Sequence, residues 1–314
     1  MYTLNIKMFV KNNFPFLFNI LKLCRKSFYL YLGKHYPELL IKKLYYNYYN
    51  RKINLSNPRD IDEKVNYLKL YSDTTLWSRC ADKFEVRKYV EEKGLGFTLN
   101  DIYGIYDNPR EIDFNNLPKS FVIKTTNGGG GNTVLIVKDK NALNFNNTIK
   151  LLEQWLRRPM GSLYGETHYD KIRPRLIIEK YLEIPKGQAS LVDYKFNCFN
   201  GKTYSVFLCS DRLFNAKVCY SVYDLDWKLY PNKMKKEYST DKTFPRPSSL
   251  DLMIKYSNIL SEGIPYVRVD WYEIEGKPIF GEMTFTPAGG FQQFYSDEYL
   301  LELGQQMDIS NYLT

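Results

Sequence analysis

The sequence predicts an α+β fold built mainly from antiparallel hairpins with helices before and between them. Three observations carry that prediction. Two short β-branched runs, FVIK and TVLIV, flank four consecutive glycines between Phe121 and Val137. A second pair of apolar runs surrounds Asn200-Gly201, a dipeptide that turns a hairpin tightly. A third pair, YVRVDWYEI and KPIFGEMTF, lies near the C-terminus.

The totals bound the function. A chain of 314 residues holds one large or two modest domains with a proper core. The cysteines (Cys24, Cys80, Cys198, Cys209, Cys219) are odd in number, scattered and without C-x-x-C. That argues against a disulfide framework or a zinc site and fits a reducing cytosol. His35 and His168 are the only histidines, which argues against catalysis by a His pair. The net charge of +9 resides in residues 1–52, with ten Lys/Arg against one acid, Glu38. The remainder is balanced, so the body has no basic footprint for nucleic acid.

Residues 1–75 read as a helical, basic N-terminal segment. Phe14, Leu17, Phe18, Leu21, Cys24, Phe28 and Tyr31 recur at helical spacing, while Lys22, Arg25 and Lys26 lean the other way. The apolar run is too short to span a bilayer, and no small-residue cleavage site follows it. Two readings are open: a basic amphipathic helix on an anionic membrane surface, contacting it through residues 1–52, or a helix packed on the protein's own body. Ser56-Asn57-Pro58 breaks the chain. DIDEKVNYLKLYSD and LWSRCADKFEVRKYVEEKG then read as one helix each, the second ended by Gly94. After a turn-rich connection and the glycine hairpin, NTIKLLEQWLRR reads as a helix stopped by Pro159, and RPRLIIEKYLEI as a buried strand. Residues 229–248 are a Lys/Pro-rich loop, and SLDLMIKYSNILSEG a helix leading to the last hairpin.

Each glycine costs roughly 0.5–1 kcal/mol of ordering entropy relative to alanine, so four in a row are a poor way to make a plain turn. They offer bare backbone N–H groups that close on a phosphate chain, with Lys124 beside them as a point charge. A flexible surface hairpin is the other reading. No Gly-Lys-Ser/Thr follows, so the run is not a P-loop.

The last hairpin supplies a second site. With a three-residue turn, Glu275-Gly276-Lys277, Asp270 opposes Glu282 and Arg268 opposes Thr284, all on one face. Facing carboxylates repel unless a cation sits between them, and an oxygen pair with room for phosphate suits Mg²⁺. A one-residue change in loop length would place the two acids on opposite faces.

The order of these parts resembles the ATP-grasp superfamily, which includes D-alanine–D-alanine ligase. More closely, it resembles the TupA-like ATP-grasp family of teichuronopeptide and surface-polysaccharide biosynthesis. The residues carrying the resemblance are NLSNPRDIDEKVNYLKLY, ADKFEVRKYV, FVIKTTNGGGGN, DYKFNCFNGK, CSDR, YDLDW, VRVDWYEIEGK and FGEMTFTPAGGF, over roughly residues 54–293. It implies an ATP-grasp fold with a helical N-terminal extension. The catalytic region is 76–314, with subdomains about 96–180 and 181–310 clasping ATP. It also implies roles. Lys83 and Lys124 bind ATP, and Gly128, Gly129, Gly130 and Gly131 form the loop over its phosphates. The main chain of Lys180 and Leu182 faces the adenine, with Glu179 at the hinge. Asp193 serves the ribose and Lys195 phosphate. Asp270, Glu282 and Thr284 hold Mg²⁺, and Arg268 stabilises an oxyanion. Thr284 stands where many relatives carry Asn, and the N-terminal region is short and helical rather than an αβα domain.

The resemblance implies an ADP-forming carboxylate–amine ligase working through an acyl phosphate in the cytoplasm. Its partners are a carboxylate and an amine, such as an amino acid joined to a uronic acid or an amino sugar. Arg212 and Gly289-Gly290-Phe291 are candidates for substrate contact. One rival is a glycosyltransferase using Asp224 and Asp226 as a D-x-D metal pair. Another is a membrane-bound module that binds nucleotide without turning it over.

Overall fold

Asn200 and Gly201 take left-handed backbone at φ 44° and 81°, the conformation a two-residue hairpin turn demands. They open the larger of two antiparallel sheets. In the computed structural model, residues 13–185, 190–210 and 219–313 are described. The helices are α1 (Pro15–His35), α2 (Pro37–Tyr49), α3 (Ile61–Tyr71), α4 (Thr75–Ala81), α5 (Glu85–Glu92), α6 (Phe145–Leu156), α7 (Thr167–Asp170), α8 (Leu250–Leu260) and α9 (Asp297–Gln306). A four-stranded sheet has the order β1 (Ile102–Tyr106), β4 (Leu176–Lys180), β2 (Phe121–Thr125), β3 (Val134–Val137). A five-stranded sheet has the order β7 (Cys219–Tyr223), β6 (Lys202–Ser210), β5 (Asp193–Phe199), β8 (Val267–Ile274), β9 (Lys277–Thr284).

Apolar alternation buries one face of each sheet. Phe121, Ile123, Leu176 and Ile178 of the small sheet close on Leu152 and Trp155 of α6. Phe196, Val267, Val269 and Trp271 of the large sheet close on Met253 and Leu260 of α8. Helices α3, α4, α5 and α9 join this second core through Val65, Trp77, Val86 and Leu303. Helix α3 starts where Asp60 accepts from the Glu63 N–H at 2.8 Å and Glu63 reaches back to the Arg59 N–H at 2.9 Å, a reciprocal cap.

Two elements depart from the sequence reading. The single helix expected over LWSRCADKFEVRKYVEEKG is two helices broken at Asp82. Its carboxylate accepts from the Phe84 and Glu85 N–H groups, ending one helix and capping the next. The last hairpin turns on two residues rather than three, with Glu275 and Gly276 at φ 51° and 73° and Ile274 paired with Lys277. Counted straight back, that turn would misalign Asp270 and Glu282 by one residue. A β-bulge between Asp270 and Trp271, with Gly281 as the extra residue, restores the pairs Asp270↔Glu282 and Arg268↔Thr284. A Cβ on Gly281 would lie 2.8 Å from the Asp270 carbonyl oxygen, so the bulge needs glycine there.

A third cluster joins α1 and α2 to the body: Leu32, Leu40, Ile41, Leu44 and Tyr45 surround Phe291, which is 2 % exposed. Phe291→Ala is expected to lower the unfolding free energy by about 3–5 kcal/mol, the cost of deleting a buried aromatic ring. Urea unfolding of the two proteins measures this, and a change below about 1 kcal/mol would show that Phe291 does not anchor the N-terminal helices.

Candidate functional site

The break at Asp82 presents Lys83 between three elements. Its N–H donates to the Thr126 carbonyl at 2.9 Å, and its Nζ donates to the Gly128 carbonyl at 2.6 Å. The same Nζ lies 3.5 Å from Glu282 Oε2. One lysine thus ties the glycine loop to the terminal hairpin.

The four glycines divide into two kinds. Gly128 is a packing residue: a Cβ there would meet Thr133 Oγ1 at 2.2 Å, and its N–H donates to the Thr125 carbonyl. Gly129 and Gly131 have open space where a Cβ would stand, and Gly130 and Gly131 have positive φ. Among the described residues, no hydrogen bond uses the N–H groups of Gly129–Gly131. Beside the loop, Lys124 Nζ donates to Glu179 Oε2 at 2.7 Å, so these two candidates meet across β2 and β4. The Lys180 N–H is spent on the Asp101 carbonyl, and the Lys180 carbonyl accepts from Asn100 Nδ2 at 2.8 Å while keeping a second lone pair. Leu182 follows the end of β4.

The face of the large sheet opposite α8 carries the charged cluster. Pairing of β5 with β8 sets Lys195 beside Asp270. Lys195 Nζ donates to Asp270 Oδ2 and lies 3.5 Å from Asp193. Arg268 grips Asp270 with two bonds, Nε to Oδ1 at 2.7 Å and Nη2 to Oδ2 at 2.8 Å. Its Nη2 also reaches Glu282 Oε1 at 3.3 Å and Thr284 Oγ1 at 3.1 Å. Burial pushes the Glu282 carboxyl up, but Lys83, Lys195 and Arg268 together hold it well below the ordinary carboxylate value. Two acids and a hydroxyl thus face one another inside a ring of three cations. Tyr272, which sequence reasoning missed, shares this face and hydrogen-bonds Asp193; burial first, then Asp193, push its phenol well above the ordinary value. Its position two residues beyond Asp270 on the same strand was the available signal.

Other candidates are not brought here. Arg212 lies outside the described residues. Gly289-Gly290-Phe291 turns toward the N-terminal helices: Lys69 Nζ donates to the Gly289 carbonyl and Asn66 Nδ2 to the Gly290 carbonyl, while Phe291 is buried. Asp224 spends its carboxylate on its own turn, accepting from the Asp226 and Lys228 N–H groups and from the Tyr230 hydroxyl.

A family model, TupA-like ATP-grasp, matches residues 63–308. The chain belongs to that family. It therefore has the ATP-grasp fold, and the family supports ATP-dependent ligase chemistry. D-alanine–D-alanine ligase from Bacillus anthracis is similar at 19% identity over 74% of this chain and 69% of its own, with a TM-score of 0.44. The enzyme from Helicobacter pylori is similar at 15% identity over 79% of this chain and 67% of its own, also with a TM-score of 0.44. The ATP-grasp ligase PsnB, complexed with its minimal precursor, is similar at 10% over 73% and 62%, with a TM-score of 0.40. No curated protein sequence matches.

His168 is fully buried, edge-on to Trp77, and neither ring nitrogen has a hydrogen-bond partner among the described residues. Burial first, then Lys69 and Lys171, push its pKa down from 6.5 to about 3. The folded state keeps it neutral, whereas the unfolded chain takes up a proton below the ordinary value. Its contribution is therefore full above about pH 6.5 and lost as pH falls toward the folded value, by up to about 1.4 kcal/mol per pH unit. His168→Phe should flatten unfolding free energy against pH between about pH 6 and pH 4. An unchanged slope in urea titrations would mean that His168 is not the group responsible.

Proposed function

We propose that the protein is an ATP-dependent carboxylate–amine ligase that forms an amide through an acyl phosphate. The observation that carries this reading is the convergence of Lys83, the glycine loop at Gly128 and the Arg268/Asp270/Glu282/Thr284 face of the terminal hairpin. Phosphoryl transfer needs positioning and charge stabilisation more than covalent help from the protein, and this set supplies both. A substrate carboxylate oxygen attacks the γ-phosphorus of ATP and ADP leaves. An amine nitrogen then attacks the acyl carbon, inorganic phosphate departs, and the amine proton passes to solvent. Lys83, Lys124 and the N–H groups of Gly129–Gly131 hold the phosphates in this reading. The Leu182 main chain and the free lone pair of Lys180 serve the base, and Asp193 the ribose. Arg268 faces the oxyanion that forms at the acyl carbon.

The donor set suits Mg²⁺: two carboxylates and a hydroxyl, all oxygen, on one sheet face. Two facing carboxylates and one hydroxyl make part of a coordination shell, as where Mg²⁺ is shared with phosphates. Asp270, Glu282 and Thr284 would hold the ion, which when bound neutralises charge on the phosphates.

The substrates we propose are an amino acid and a uronic acid or amino sugar of a bacterial surface polysaccharide, joined at the cytoplasmic face of the membrane. The family's association with teichuronopeptide and surface polysaccharides supports this choice. Incubation with ATP, Mg²⁺ and a pool of sugar nucleotides and amino acids should release ADP and inorganic phosphate, and hydroxylamine should trap a hydroxamate of the substrate bearing the carboxylate. Sugar transfer with ATP untouched, or release of AMP and pyrophosphate, would overturn the reading.

A further inference from the structure

Among the described residues, helix α1 meets the body only at its C-terminal end. Leu32 and Gly33 are buried there, and a Cβ on Gly33 would lie 1.6 Å from the Ser162 carbonyl oxygen. Upstream, from Pro15 to Phe28, the helix stands clear of the core for about 20 Å at 1.5 Å per residue. Its large apolar side chains lie in water: Phe16 is 79 % exposed, Leu23 64 %, Leu21 54 % and Phe28 51 %. Scattered exposed apolar residues are ordinary, but a contiguous run of them is not.

The arrangement around the axis gives the partner's chemistry. At about 100° per residue, Leu17, Ile20, Leu21, Cys24, Phe28 and Tyr31 fall on one broad arc. Lys22, Arg25 and Lys26 fall on the opposite arc, on the same side as Tyr29, Leu32 and Gly33, which seat the helix on the body. The apolar arc therefore faces away from the protein. Residues 13–37 carry four Lys/Arg and no acid. No described helix is long and apolar enough to cross a membrane. A helix with an apolar arc facing outward, cations on its other side and no acid is complementary to the headgroup region of an anionic bilayer, where it lies in the plane with its apolar side among the acyl chains. Leu17, Ile20, Leu21 and Cys24 alone would make the narrow stripe of anchors that a groove on a protein partner reads, but the exposed Phe16 and Leu23 lie outside that stripe and widen the apolar side.

We propose that α1 docks the protein onto anionic lipid, Leu17, Ile20, Leu21 and Phe28 entering the acyl boundary while Lys22, Arg25 and Lys26 meet the headgroups. Docking this way holds the ligase site beside substrates carried on lipid, yet its readout needs neither ATP nor substrate, so it stands or falls separately from the ligase reading. Residues 37–53 are not part of the device, because Leu40, Ile41 and Tyr45 belong to the core around Phe291.

The test uses the full chain and vesicles of phosphatidylglycerol with phosphatidylcholine, against phosphatidylcholine alone. The protein should sediment with the anionic vesicles, roughly tenfold less with the neutral ones, and be released by salt. Two variants separate the contributions. Leu17→Glu with Leu21→Glu removes the apolar side, and Lys22→Glu with Arg25→Glu and Lys26→Glu reverses the charge. Both alter exposed side chains, so circular dichroism and the melting midpoint should match the parent. Both should lose vesicle binding. Failure of the parent to bind anionic vesicles, or undiminished binding by either variant, would overturn the proposal. So would lipid-free self-association abolished by the Leu17/Leu21 variant, which would make a second copy the occupant.

Discussion

Two carboxylates, Asp270 and Glu282, are held face to face across the terminal hairpin, and the rest of the site is arranged around their mutual repulsion. Like charges directly opposed on a sheet are unfavourable on their own. Arg268 spans both, Lys195 approaches Asp270 from the next strand, and Lys83 approaches Glu282 from the turn after α4. Each cation comes from a different element, so the large sheet, the helical layer and the glycine loop must all be in register for the charges to balance. Asp270 and Lys195 are buried, and leaving either charge unpaired would cost several kcal/mol, which makes the cluster a constraint on the fold.

A second polar network connects the hairpin to the N-terminal helices. Asp62, Asn66 and Lys69 lie on one face of α3 and bond to the chain that follows β9. Asp62 accepts from the Gln292 N–H and side-chain amide, and Lys69 donates to the Gly289 and Tyr164 carbonyls. Burial pushes the Lys69 ammonium down to about 8, and Glu166 and Asp62 oppose that fall. Positive φ at Ala288, Gly289 and Gly290 lets this segment present its carbonyls to α3. Helix α3 is therefore part of the architecture that fixes the chain after β9.

Much of this was legible in the sequence, in places through compensating errors. The facing of Asp270 and Glu282 follows from the alternation of VRVDW and FGEMTF, but the three-residue turn assumed for it is absent. Glu275 takes a left-handed conformation that glutamate seldom adopts, and the bulge at Gly281 absorbs the difference. A glycine inside a strand pattern was the available signal of that bulge. The glycine run was read as one phosphate-binding surface, whereas Gly128 is fixed by close packing against Thr133. Strand β1 was hidden in a turn-rich stretch with Gly104 at its centre. The roles of Asp62, Asn66 and Lys69 could not be read locally, because the partners that tie them to Tyr164 and to the chain after β9 lie more than 90 residues away. The basic helix left two readings open, and the structure turns its apolar arc away from the body.

The most direct test of the central claim is calorimetric titration of ATP into the parent and the Glu282→Gln variant, with and without Mg²⁺. If the facing carboxylates bind the metal–nucleotide complex, Mg²⁺ should tighten ATP binding by the parent at least about tenfold. The variant should retain metal-free ATP binding through Lys83, Lys124 and the glycine loop, and lose the Mg²⁺ enhancement. An equal Mg²⁺ enhancement in both proteins would contradict the account.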